Sequence, residues 1–202
     1  VIVIDAGAAE IAFTDEEGWT GGSVSTFTFT GVAFGPDTGD RFVCVALLSA
    51  PGFTTSATIG GVSATEYRLP GTGSETSIRF YVAAPSGTSG DVVVTRSGAT
   101  SVMHIAAWAI SGADSATPVD YVTAYDAAPP TALTLAVEDG GVVLALAQGS
   151  GSSSPASGVD ADFAVLYVSF YIDGGASAIT ADDAAYALST STHSYLGAIS
   201  FR

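Results

Sequence analysis

The sequence predicts an all-β chain: a jelly-roll-like antiparallel β-sandwich of about ten strands. Two observations carry that reading. From Thr26 to Phe201, short β-branched and aromatic runs are cut at regular intervals by Gly, Ser, Thr, Pro and Asp. Between those cuts the side chains alternate with a period of two and lack a sustained helical period. Ser25 to Thr30 sets the pattern, with Phe27 and Phe29 on one face and Thr26, Thr28 and Thr30 on the other, as in a half-buried strand.

Residues 1–22 read as an N-terminal arm and residues 23–202 as a single sandwich domain. Asp15 to Trp19, followed by Gly21 and Gly22, is a charged, turn-rich break before the first strong strand. Strands are expected over Thr26–Phe34, Arg41–Leu48, Thr55–Ile59, Val62–Tyr67, Ile78–Ala83, Asp91–Ser97 and Val102–Ile110. Further strands are expected over Leu133–Val137, Val142–Ala147, Phe163–Tyr171 and Tyr195–Phe201. Gly60–Gly61 and Asp139–Gly141 mark two hairpins, because a tight turn with positive φ at its centre favours glycine. Phe42–Leu48 and Val142–Ala147 are almost continuously apolar, as strands covered on both faces are. Ile78, Phe80 and Val82 alternate with Arg79 and Tyr81, which predicts one wet face. Ala181–Ala187 is the one stretch that reads as a helical turn or two, with Thr180 as its cap. Ala113–Thr131 reads as a long loop, and the Ser/Gly-rich stretch near 148–158 as a flexible surface loop of the same domain.

Composition narrows the function. The chain has 202 residues, enough to bury a core without a disulfide staple. Twenty acids stand against five arginines and no lysine, for a formal charge of −15. Phosphate-directed nucleic-acid binding needs a cationic footprint, which is missing. No apolar run approaches the ~18 residues that predict a spanning helix, so membrane insertion is not expected. Cys44 is the single cysteine and reads as a small buried hydrophobe.

Catalytic constellations are not evident. Of the two histidines, His104 lies in an alternating run with Val102, Ala106 and Trp108 and reads as a core or interface residue. His193 sits in an exposed-looking approach to the last strand. No nucleophile elbow or phosphate cradle accompanies either. The expectation is a protein that is not an enzyme and carries no cofactor. Calcium is the one ion its carboxylate-bearing turns would suit, at Asp37–Asp40, Asp160–Asp162 and Asp182–Asp183. Tyr121 and Tyr125, flanked by Pro118, Pro129 and Pro130, are the candidate binding residues, suited to stacking on a sugar or packing in an interface. Val1, Ile2, Val3 and Ile4 are a candidate interface arm: they would add a strand to a neighbouring copy's sheet or pair within their own.

Three stretches carry a resemblance: Gly35 to Leu47, Ser56 to Thr65 and Ser77 to Pro85. An Asp-Arg-initiated strand, a Thr-Ile-Gly-Gly hairpin and a strand ending at Pro make the chain similar to a group of phage-encoded β-sandwich proteins, over roughly Phe34 to Asp120. The resemblance implies a virion structural protein of a tailed phage or phage-like particle, on its exterior surface as a capsid decoration, vertex or spike, or tail component. Its implied partners are other virion proteins and further copies of itself. A carbohydrate-binding module that recognises a host surface glycan is the alternative.

Overall fold

A computed structural model describes residues 8–49, 55–68, 78–126, 131–150, 152–153, 155–167 and 170–202. Val1 to Ile4, the candidate arm, lie outside the described residues. Every regular element among them is a strand, and every pairing is antiparallel. In chain order they are β1 (Glu10–Ala33), β2 (Phe42–Ser49), β3 (Thr55–Ile59), β4 (Val62–Ser63), β5 (Thr65–Tyr67), β6 (Ile78–Ala83) and β7 (Ser89–Ser111). There follow β8 (Asp120–Tyr125), β9 (Thr131–Val137), β10 (Val142–Gly149), β11 (Asp160–Tyr167), β12 (Phe170–Ala178), β13 (Asp183–Thr190) and β14 (Tyr195–Phe201).

They form three sheets. The first runs β4-β3-β7-β2-β6-β5, with β1 along the other side of β7; the second runs β11-β12-β10-β14-β8; the third is β13-β9. The cores between them follow from strand alternation. On β2, Phe42, Cys44, Ala46 and Leu48 face the second sheet's Val142, Leu144, Leu146, Ile199 and Phe201, across a core that also takes Phe80 and Trp108. The intervening Val43, Val45 and Leu47 enter a second core. There β7 contributes Val92 and Val94 from one half and Met103, Ile105 and Ala107 from the other, so the β1–β7 ribbon turns back over its own sheet. Register shifts in β1 between Thr20 and Thr26 accompany the turn. On β10, Val143, Ala145 and Ala147 face away into a third core against Leu133, Leu135, Val137 and Leu188 of the small sheet. Burial on both faces of β2 and β10 is what their unbroken apolar runs predicted.

The hairpin at Gly60–Gly61 has φ of 56° and 79°, the positive values its two-residue turn requires. A Cβ on Gly60 would lie 2.8 Å from Pro85 Cβ, so the turn also needs glycine for space.

Five expectations are corrected. Most of the 1–22 arm is strand: β1 begins at Glu10, and Glu10 to Thr20 pair with Val102 to Ser111 of β7. Its charged residues tolerate this because Asp15 accepts from the Ala33 backbone N–H at 2.9 Å and Glu16 meets His104. Ala113–Thr131 is not all loop, because it contains β8, anchored on β14 from Tyr195–Tyr125 to Ser200–Asp120. The helical reading of Ala181–Ala187 fails, since Asp183 to Thr190 form β13 against β9. Phe163–Tyr171 is not one strand, because β11 ends at Tyr167 and β12 starts at Phe170, with Tyr167 opposite Phe170. Finally β6 has no wet face: all six of its residues are buried, Arg79 and Tyr81 included.

The two-sided cores give a direct test. Leu144→Ala should lower the unfolding free energy by about 2–5 kcal/mol. Val62→Ala, at a side chain 40% exposed, should change it by less than about 0.5 kcal/mol in the same denaturant titration.

Candidate functional site

Among the described residues the sandwich is open on one side. β5 ends the first sheet and β8 ends the second, and tyrosines line the seam between them. Alternation along β8 puts Tyr121, Thr123 and Tyr125 on one face, opposite Ile199, Gly197 and Tyr195 of β14. The Tyr121 ring meets Tyr67 of β5 edge-on, with centroids 5.5 Å apart. The Tyr125 ring lies against Tyr195 at 4.7 Å. Between the pairs the sheets approach closely: a Cβ on Gly197 would stand 2.7 Å from Ile78 Cγ2. Asp120 fixes the start of β8, accepting from the Tyr121 N–H at 2.8 Å and from the Ala136 N–H of β9 at 2.9 Å.

The two tyrosines singled out from sequence therefore differ. Tyr121 is partly buried against the inter-sheet core, whereas Tyr125 is 38% exposed. Their partners Tyr67 and Tyr195 could not be paired with them from sequence, because they sit on strands far apart in the chain. An exposed phenol ring with a tyrosine behind it offers an apolar face and a hydroxyl, which suits sugar stacking or a protein contact.

Elsewhere the polar groups hold strands together. His104 Nε2 lies 2.7 Å from Glu16 Oε2, and the buried imidazole stacks near Phe163 at 6.1 Å. The hydrogen bond to His104 holds the Glu16 carboxyl below its ordinary 4.5. The Trp108 indole N–H donates to Asp162 at 2.7 Å, joining β7 to the second sheet's edge. Partial burial pushes that carboxyl up, against the pull of the indole. Asp162 stands at a register shift in β11, which turns it out of the alternation.

Two arginines act as internal clamps. Arg41 donates to the carbonyls of Phe34, Gly35 and Pro36 at 3.0–3.3 Å and to Pro85 O at 2.5 Å. Asp37 and Asp40 complete that corner, accepting from the N–H groups of Gly87 at 2.7 Å and Gly112 at 3.0 Å. The Asp-Arg motif thus ties one loop to the ends of β6 and β7. Fully buried Arg79 lies 3.6 Å from Glu66 through Nε and donates to Thr55 Oγ1. The Tyr81 hydroxyl donates to Glu66 at 3.0 Å, and burial pushes its phenol up to about 12.

His193, read as exposed, is buried. Its Nε2 is 2.6 Å from Asp173 Oδ2, with both side chains 0% exposed. Thr192 Oγ1 stands 3.0 Å from Nδ1, so hydroxyl, imidazole and carboxylate fall in relay order. The Thr192 proton, however, is directed to Ser152 O at 2.8 Å, which leaves the imidazole no hydroxyl proton to accept. Burial pushes the Cys44 thiol up, away from nucleophile chemistry.

The three carboxylate turns do not converge. Asp37, Asp40, Asp182 and Asp183 accept from backbone N–H groups, Asp160 Oδ2 accepts from the Ser177 hydroxyl while the Asp160 N–H donates to Ser177 Oγ, and Asp162 accepts from Trp108. Among the described residues no group of three His, Cys, Asp or Glu side chains could hold a metal ion. No family model, curated protein or solved structure matches the chain.

Two substitutions test these contacts. Arg41→Lys should destabilise by about 2 kcal/mol, because an ammonium cannot span four carbonyls on two sides as a guanidinium does. For Glu16 the folded pKa lies below the unfolded one, so its contribution is present above the ordinary carboxyl range and is lost as pH falls through the folded value. Glu16→Gln should therefore be less stable than wild type near neutrality. The gap in denaturation midpoint should narrow as the buffer is taken down through and below the ordinary carboxyl range.

Proposed function

We propose that the chain is a structural and interaction protein of a tailed-phage or phage-like particle. Its place is on the particle's exterior surface, as a capsid decoration, vertex or tail component present in many copies. The observation that supports this reading is the stack of three apolar cores, crossed by polar clusters whose members are engaged in joining strands. Such a body is a rigid unit without an evident reaction centre. Multiple copies on a particle turn weak contacts into firm attachment, so a small contact area per copy is enough.

The test is co-sedimentation of the purified chain with particles that lack it, alongside its mass by light scattering over a wide concentration range. Saturable binding to the particle, as a monomer or a symmetric oligomer, is the expected result. A monomer that binds no capsid or tail component would remove the reading.

The tyrosine seam favours a second reading, a host-glycan-binding module. Tyr125→Ala, at the exposed ring, should abolish any glycan-array signal while leaving the fold intact. Tyr121→Ala should also lower stability, because Tyr121 packs against Tyr67 and the core. Glycan binding that survives both changes would exclude the seam.

A further inference from the structure

The end of a sheet leaves backbone N–H and C=O groups open to another chain, and most ends in this fold are closed. β8, at one end of the second sheet, is tied to β9 by the Ala136 N–H on Asp120. β13 is bridged at Ser189 by Ser157, and Tyr186 donates to Gly158 O beside it. β4 and β5, which end the first sheet, are two and three residues long. β1 carries Glu10, Asp15, Glu16 and Glu17 in its first half, and register shifts flank Thr26–Phe29 in its second. Acids, bulges, covers and short strands all discourage edge pairing.

β11 is protected along only half its length. It ends the second sheet, and among the described residues it pairs with β12 alone. Its first residues hold Asp160, Asp162 and the register shift between Ala161 and Phe163. From Phe163 to Tyr167 it has no charge, proline, glycine or register shift. Phe163 and Val165 pack inward on the inter-sheet core, the Phe163 ring lying over Gly174, where a Cβ would collide with it. Alternation then turns Ala164 and Leu166 outward. Leu166, 61% exposed, is the most exposed large hydrophobic side chain among the described residues.

We propose that this half of β11 is a contact between two copies of the chain, which pair antiparallel about Val165 and join their five-stranded second sheets into one. Two properties of the run single out a second copy as its occupant. The first is symmetry. Antiparallel pairing sets a two-fold axis between the strands, so a segment can meet itself reversed. Centred on Val165, Ala164 falls opposite the second copy's Leu166, and Val165 opposite its own equivalent. A small outward residue then faces a large one at both places, and each exposed Leu166 gains an apolar neighbour. The second property is charge. Copies with a net charge of −15 can meet only where their acids stay apart. In this register each Asp162 lies beyond the neutral run, and the two are six strand positions apart. That is about 20 Å along the strand, more than twice the screening length at physiological salt. Parallel pairing in register would set the same acids side by side. The contact closes at two copies and is independent of the particle reading, which co-sedimentation decides separately.

Light scattering of the full chain in about 0.15 M salt tests this, with its concentration raised from about 1 μM to about 1 mM. One pair of short strand edges is a small interface, so association belongs in that range. The mass should climb from one chain to a plateau at two. A mass that stays at one chain, or that rises past two, overturns the proposal. Leu166→Asp should weaken association at least about tenfold, because the change acts twice in a symmetric contact and sets a carboxylate diagonal to the second copy's Asp162. Val62→Asp makes the same change of charge at another exposed side chain and should shift association less than about twofold. Equal weakening by both reduces the effect to net charge and overturns the assignment to β11. Dissociation by Tyr125→Asp and not by Leu166→Asp also overturns it, and moves the contact to the tyrosine seam. If Leu166→Asp does not fold, Ala164→Asp at the facing position is read in the same way.

Discussion

The molecule depends on two strands, β2 and β10, that have no solvent face. Every residue from Phe42 to Ser49 is buried, and so is every residue from Val142 to Ala147. Adjacent side chains on such a strand must satisfy different cores, so a slip of one residue would send Phe42 and Leu48 where Val43 and Leu47 belong. Each strand also needs a cover on its far side. For β2 the cover is the β1–β7 ribbon, which turns back over its own sheet; for β10 it is the small β9–β13 sheet. The length of β1 and β7 and the existence of a third sheet both follow from that requirement.

Polar clusters mark where the layers end. Arg79 and Glu66 join β6 to β5, and the neighbouring Thr55 brings in β3. His104 and Glu16 join β7 to β1, and Trp108 with Asp162 carries β7 across to β11. Asp173 and His193 join β12 to the approach to β14. Each contact links segments distant in sequence, at positions where an apolar pair would specify orientation less sharply. A buried polar group without its partner is costly, so mispaired sheets are penalised more than an all-apolar core would penalise them.

How much of this was legible in the sequence depended on where the decisive contact came from. β3, β6 and β14 could be read to the residue, because local alternation and glycine turns set their limits. The double burial of β2 and β10 was legible from unbroken apolar runs. The first half of β1 was not, because Asp15 and Glu16 look like solvent-facing turn residues until Ala33 and His104 are brought to them. β13 was obscured by its alanines, which favour helix in isolation and become strand only against Leu133 and Leu135 of β9. The aromatic run from Phe163 to Tyr171 hid the division into two antiparallel strands, since no glycine or proline in the sequence marks it. At the candidate site, Tyr125 was accessible to sequence reasoning and its pairing with Tyr195 was not.

Charge restricts where any partner can meet this chain. With a net charge of −15, copies repel one another and polyanions at long range, and only close contacts on neutral surface can outweigh that repulsion. The seam formed by Tyr67, Tyr121, Tyr125 and Tyr195 lies where, among the described residues, both main sheets run out of strands. Tyrosine has few rotatable bonds, so placing it against a partner costs little conformational entropy, and its hydroxyl accepts either water or a ligand group. Of the four, Tyr67, Tyr121 and Tyr195 pack against the inter-sheet core, and Tyr125 is the exposed ring. A scaffold fixed by two doubly buried strands can therefore vary the exposed Tyr125 without disturbing the register on which the rest of the fold depends.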